Sequence, residues 1–320
     1  MMSKSTRIPE LEALRGVAAI SVLYFHYTFF FRSQLNYDFN PFFDFKYGHH
    51  GVELFFMISG FVIFMSLETI KSVKEFLYKR FIRLYPTYWI CLSITLFVLL
   101  FNNTDSFQVA PVEKILNVLM FHGLFYISNV DGSYWSLLHE LLFYALMITL
   151  WKLSLLQKIE LICLLWLALM YAAFLRPSII DIVLNLKFGV FFIIGILFNL
   201  LYQNNKNRIA QIILVIALVS VFVIQRNLEV FLFTCFFASV FYLLIYNKLS
   251  FLNTPILIFL GKVSYPLYLI HQTVGFILIY NLMKAGLPHF GSILVTMAFV
   301  IGLSFLIYEY LEKPILKKFK

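Results

Sequence analysis

The sequence predicts an all-α polytopic membrane protein of about ten transmembrane helices plus one short re-entrant or interfacial segment. Three observations carry this. Apolar residues make up 62% of the 320 and charged residues 13%, against a charged share of about 25% in an ordinary soluble domain. The apolar residues fall in runs near the ~20 residues that a helix needs to cross a bilayer. The 25 Lys and Arg lie almost entirely in the loops between those runs, so the net charge of +9 sets orientation in a membrane rather than a nucleic-acid surface. The abundant Phe and Tyr suit lipid contact and interfacial anchoring and identify no substrate.

Taken in order, the spans are expected near residues 11–31, 51–67, 85–101, 135–151, 160–175, 186–202, 209–225, 230–246, 265–283 and 292–311. The run from Ile115 to Ile127 is too short to cross and leads into the turn-prone SNVDGS, so it is read as re-entrant or interfacial. Charge supports that choice. With ten crossings both termini are cytoplasmic, and seventeen basic residues lie inside against seven outside, Arg15 being in the membrane. An eleventh crossing would move Lys152 and Lys158 out and weaken the bias. No cleavable signal precedes the first span, no repeat or linker divides the chain, and a single domain over 1–320 is expected. Cys91, Cys163 and Cys235 sit within apolar runs at spacings that fit neither a disulfide framework nor a metal site, so no metal is expected.

The first span, RIPELEALRGVAAISVLYFHYTFFF, carries Glu12, Arg15 and His26. Arg15 and His26 are eleven residues apart, roughly three helical turns, so they share one stripe about 16 Å long. Ionisable groups at membrane depth cost ~2.5 kcal/mol or more each and face the bundle interior, which makes them functional candidates. The plainer reading is that Arg15 snorkels to the headgroups and His26 is a helix-packing hydrogen-bonder.

The second span opens with GHHGVELFFMISGF, in which Ser59 lies near mid-bilayer; helix packing and ligand contact are both open to it. The third opens with KRFIRLYPTYW. Arg80 and Arg83 stand at i and i+3, two forked guanidiniums on one face, a geometry suited to phosphate, and Pro86 is expected to bend the helix. The fourth opens with YWSLLHELLFY. Trp135 marks the outer interface, and Glu140 lies about 7 Å below it at a depth similar to that of His26. A carboxylate there needs a partner, and an imidazole is the obvious companion; His139 points away and is a weaker candidate. In VSYPLYLIHQ, residues Tyr265, Tyr268 and His271 form an inward polar stripe at i, i+3 and i+6, open to structural bonding or ligand contact. Glu309 and Glu312 read as interfacial residues beside the C-terminal lysines.

These motifs, with ELEALRGVAAISVLYFH at their head, resemble the integral-membrane acyltransferase family 3, the bacterial O-acyltransferases that modify surface and exported glycans. The likeness runs in family order through the first half of the chain and returns near its end; residues 152–262 match in hydropathy only. The resemblance implies transfer of an acyl group, usually acetyl, from cytoplasmic acetyl-CoA to a carbohydrate hydroxyl presented outside a bacterial inner membrane. Acetyl-CoA or another acyl-CoA would then be a co-substrate, with no cofactor bound permanently. It carries the family's functional positions onto Glu12, Arg15, His26, Arg80, Arg83 and Glu140. Some relatives have an added extracytoplasmic hydrolase-like domain; none is expected here, which leaves room for a partner protein in acceptor transfer.

Residues and resemblance agree on one expected mechanism. Arg15, Arg80 and Arg83 bind the CoA phosphates; His26 serves as general base or transient acyl carrier; Glu140 orients the imidazole. Glu12, Ser59, Trp135, Tyr268 and His271 support it. The competing class is a proton-coupled glycan flippase or exporter in which His26 and Glu140 relay protons, and a third is a donor sensor without turnover. The absence of visible inverted halves and the arginine mouth argue against the carrier.

Overall fold

Apolar runs of this length fold as helices because backbone in hydrocarbon must satisfy its N–H and C=O groups within its own segment. The computed structural model describes residues 8–35, 44–102, 108–175 and 180–319. Among them ten helices of 15 residues or more follow in chain order, and no strand occurs. They are α1 (Pro9–Phe25), α2 (Gly51–Leu67), α3 (Val73–Leu100), α4 (Trp135–Lys152), α5 (Ile159–Leu175), α6 (Gly189–Gln203), α7 (Arg208–Gln225), α8 (Leu228–Ile245), α9 (Pro255–Lys284) and α10 (His289–Ile307). Each expected span meets one of them in order. Eight stretches are long and apolar enough to cross a membrane; α4 and α6 supply the remaining two positions. Lys4, Arg7, Arg176 and Lys320, used in the charge comparison, lie outside the described residues.

Two helices begin earlier than their apolar runs suggest. α3 starts at Val73 and α9 at Pro255, and both run on through an internal proline, Pro86 and Pro266. The apolar count missed these entrances because polar and basic residues dilute them, and interior prolines are tolerated where neighbouring groups take up the freed backbone. At two other places the helix widens to a π-turn. α1 passes through His26–Phe30 into Phe31–Leu35, and α10 passes through Tyr308–Glu312 into Lys313–Lys318.

By compactness the chain divides into two units. The first comprises residues up to Leu11, Val52–Phe76 and His139–Thr254. Its centre is α6, buried almost throughout from Gly189 to Asn199. Phe192 stacks on Phe143 of α4 with ring centroids 4.2 Å apart, and Phe198 stacks on Phe241 of α8 at 5.1 Å. Gly60 and Gly195 bring α2 and α6 to backbone contact, since a Cβ on either would overlap main-chain atoms of the other helix, Phe192 for Gly60 and Met57 for Gly195. α7 is apolar on both faces: Ala210, Ile213, Leu214 and Ala217 are buried, while Ile209, Ile212, Ile216 and Val219 are exposed. A helix that needs apolar residues on its outward face is one bathed in lipid.

The second unit comprises Glu12–Gly51, Leu77–Leu138 and Pro255–Lys320. Here α1 and α9 run parallel and touch at two places. Gly16 packs on Gly261, where a Cβ on Gly16 would come within 2.7 Å of the Gly261 nitrogen and a Cβ on Gly261 would overlap the Glu12 carbonyl. Further along, the Tyr27 phenol occupies the notch left by Gly275 and donates to the His271 carbonyl at 2.8 Å. The short segment expected not to cross is a broken chain, with a helix at Pro111–Leu116 and a 3-10 turn at His122–Phe125. The buried Asn117 organises it: its side-chain amide donates to Glu113 and Ser128 carbonyls and its Oδ1 accepts from Val130 N–H. Tyr88 and Trp89 of α3 then hold the segment through the carbonyls of Asn117 and Val118. Its outward side chains, Ile115, Val118, Phe125 and Tyr126, are exposed and apolar, as an interfacial segment requires.

Candidate active site

Most of the residues singled out from sequence gather in the second unit. His26 opens the π-turn of α1 and is half-buried. Its Nδ1 lies 2.8 Å from the Val22 carbonyl and 3.1 Å from Nε2 of His271. A carbonyl oxygen only accepts, so Nδ1 of His26 carries the hydrogen. The same logic fixes His271, whose Nδ1 is 2.8 Å from the Tyr268 carbonyl. Nε2 of His271 therefore accepts from the His26 Nδ1–H, and in the neutral ring the lone pair of His26 sits on Nε2. Phe25, Phe30 and Phe276 surround the His26 ring with centroids at 5.0, 5.3 and 6.4 Å, an apolar collar around one polar ring.

The stripe predicted on α9 is real, and each member has its own partner. Tyr265 donates to the Leu84 carbonyl of α3 at 2.9 Å, Tyr268 shares a 2.8 Å hydrogen bond with Ser136, and His271 meets His26. Trp135, half-buried, begins α4 one residue before Ser136. At the other end of the α1 stripe, Arg15 pairs with Glu12 at 3.2 Å. Arg83 pairs with Glu312 at 3.4 Å, and Arg80, one turn earlier on α3, is half-buried.

Sequence reasoning read Glu312 as an interfacial residue; it is buried, with its side chain 1% exposed against Arg83. Glu309 does lie at the surface, paired with Lys313. Asp131 was also missed. It is fully buried, and its carboxylate accepts from Ser133 N–H, Ser133 Oγ and Thr273 N–H at 2.9, 2.5 and 2.8 Å, which ties the loop before α4 to α9. Burial pushes this carboxyl above its ordinary range and the Ser133 and Thr273 donors pull it back. The one signal in the sequence was an acid in a DGS turn beside an apolar segment, which turn chemistry alone explains. Asp131→Ala would take this acceptor from the buried Ser133 and Thr273 N–H groups, at roughly 1–3 kcal/mol for each donor left unpaired, and leave Ser133 Oγ with the Tyr268 carbonyl alone. The variant is expected to unfold at clearly lower temperature in detergent, with Asp131→Asn intermediate; a melting curve like that of the parent would contradict the anchoring role.

Ser59 and Glu140 lie in the first unit and meet there. Ser59 Oγ donates to Glu140 Oε1 at 3.2 Å, and Tyr144, one turn along α4, donates to the same oxygen in a short hydrogen bond. Ser59 thus makes a polar bond while the adjacent Gly60 does the packing. His139 bonds the buried Asn185 through Nδ1 at 2.8 Å, a structural tie. A charge-assisted hydrogen bond is worth ~1.5–3 kcal/mol, so Ser59→Ala is expected to lower the unfolding temperature in detergent, and Glu140→Gln, which weakens two such bonds, to lower it further. Melting curves like that of the parent for both variants would remove the carboxylate from the packing of α2 with α4.

An all-helical protein in which a histidine pair and arginine–carboxylate pairs lie on apolar helices is an integral-membrane protein with ionisable groups among its helices. Comparison gives the chain its family. A family model described as Acyltransferase domain matches residues 8–309, and the chain belongs to that family, so it is a membrane-embedded acyltransferase. It is 25% identical over 284 residues to ORF330 of Acidianus two-tailed virus, a protein named as an acetyltransferase, covering 82% of each chain. It is 24% identical over 154 residues to the peptidoglycan O-acetyltransferase OatA of Listeria monocytogenes serovar 1/2a, covering 45% of this chain and 21% of that protein. No solved structure matches.

Proposed function

We propose that the chain is an O-acyltransferase that moves an acyl group, in the first instance acetyl, from cytoplasmic acyl-CoA to a hydroxyl of a carbohydrate. Its setting is a bacterial inner membrane with both termini cytoplasmic, as the excess of Lys and Arg on that side favours. The names of the two relatives support acetyl transfer, and that of OatA supports a glycan acceptor.

The observation that carries the reading is the tautomer of His26, with Nδ1–H given to Val22 and His271 and the Nε2 lone pair left over. Nε2 takes the proton of the acceptor hydroxyl as its oxygen attacks the thioester carbon. The carbon–sulfur bond breaks, the thiolate takes that proton from the imidazolium, and CoA leaves as the thiol. His271 Nε2, accepting from the Nδ1–H, steadies the ring while it carries charge. The same lone pair is the nucleophile if the acyl group passes through an acyl-histidine. Arg15, Arg80 and Arg83 bind the CoA phosphates. A further protein can take part in acceptor delivery.

The test is thiol release from acetyl-CoA by the purified chain in nanodiscs, with a glycan acceptor present. CoA released in step with acetylated product is the expected result. Binding of acetyl-CoA with no thiol released would overturn the reading in favour of a sensor, and proton-driven glycan movement without thiol in favour of a carrier.

A further inference from the structure

The arginine assigned to the donor is already engaged by a carboxylate, and the way the chain arranges this is unusual. Along α10 the buried positions are Ile293, Thr296, Val300, Ser304 and Ile307, at helical spacings of three and four. Continued as an α-helix, the next inward position is residue 311. Leu311 is exposed instead, and Glu312 is buried. The π-turn Tyr308–Glu312 supplies the surplus residue that swaps them. The acid is turned in, against the preference of a carboxylate for polar surroundings.

The buried acid is met by few compensating groups. Glu312 Oε1 lies 3.4 Å from Arg83 Nη1, the buried Thr87 lies beside it, and the Glu12 carboxylate is near enough to repel it. Enclosing a carboxylate this way costs several kcal/mol that one 3.4 Å ion pair does not clearly return. Stability alone is therefore a poor reason for the arrangement. Arg83 differs from its partner in exposure: its side chain is 37% accessible while that of Glu312 is 1%. A guanidinium has five N–H donors in a rigid fork. With Glu312 against Nη1, the orientation of this part-exposed guanidinium is tied to a buried carboxylate.

Resting on the donor reading above, we infer that Glu312 is a positioning residue for the acyl donor. It acts through Arg83, holding the guanidinium in the orientation that meets the phosphates of CoA. It does not touch the reacting atoms. Its loss should weaken capture of donors that carry those phosphates and leave the chemistry of bound donor intact.

The experiment compares two donors with the full chain in nanodiscs: acetyl-CoA, and S-acetyl-N-acetylcysteamine, which has the thioester and no phosphate. For Glu312→Gln we expect KM for acetyl-CoA to rise about ten-fold, the scale of one misplaced charge-assisted contact. The kcat should change little, and kcat/KM for the short donor should match that of the parent. Glu312→Asp, which keeps the charge, should recover part of the KM and serves as the reporting variant if Glu312→Gln does not accumulate folded. An unchanged KM for acetyl-CoA in a folded variant overturns the inference, and so does an equal loss with both donors, which marks a merely structural carboxylate. Arg83→Gln separates the two layers. If it leaves the KM for acetyl-CoA unchanged, the donor reading itself falls; if it raises KM and Glu312→Gln does not, only the positioning role falls.

Discussion

Alanine at position 26 is expected to abolish acyl transfer while the protein remains inserted and folded. The substitution removes the Nε2 lone pair, and general-base help of this kind is worth ~10²- to 10⁴-fold. If the acyl group passes through the histidine, the loss is complete. Folding should survive because Gly16 and Tyr27 hold α1 to α9 on either side of the histidine whether or not its bond to His271 is made. His271→Ala should cost less, since it removes the group that accepts from His26 and leaves the base in place. The measurement is thiol release beside a size-exclusion profile in detergent. Near-parental release by a monodisperse His26→Ala protein would eliminate His26 as base and as acyl carrier together.

The second large effect is expected at Gly261. A side chain there meets the Glu12 carbonyl, a backbone atom of a packed helix that cannot swing aside. Overpacking of this kind typically costs 1–3 kcal/mol and sometimes more. Here relief would push α1 away from α9, carrying Glu12 and Arg15 with it. Gly261→Val is therefore expected to lower both the unfolding temperature and the activity. Gly302→Ala is the contrast: it is also mid-helix, nothing lies within 4 Å of the added methyl, and helix propensity favours alanine by about 1 kcal/mol. Similar unfolding temperatures for the two variants would mean that the α1–α9 contact contributes little.

The helices are readable because apolar runs of span length admit few other structures in lipid: each expected span meets a helix in order, and eight stretches among the described residues are long and apolar enough to cross. Their entrances were less readable: Lys79, Arg80 and Arg83 make the start of α3 look like a loop although helix runs from Val73. The α9 stripe was legible because Tyr265, Tyr268 and His271 keep helical spacing, and its partners on α1, α3 and α4 follow from that. Glu312 was not, because periodicity assumes an unbroken helix and the surplus residue at Tyr308–Glu312 shifts the phase by one. Asp131 was hidden differently, since its burial depends on a loop folding back onto Thr273, a contact between residues 142 positions apart. Ser59 and Glu140 illustrate the middle case. Each stands out alone by its depth, and their meeting depends on how α2 packs with α4.

The two grips between α1 and α9 have a mechanical corollary. Gripped at Gly16 and again at Tyr27, this part of α1 behaves as a calliper with fixed jaws: the axial distance from Arg15 to His26, about 16 Å, is set by helix rise rather than by side-chain reach. A molecule that bridges the two must bring its own length and its own slack, because the frame supplies neither. On the donor reading, compliance between the two belongs to the visitor, and a chain too short or too stiff to span that distance is expected to be a poor donor.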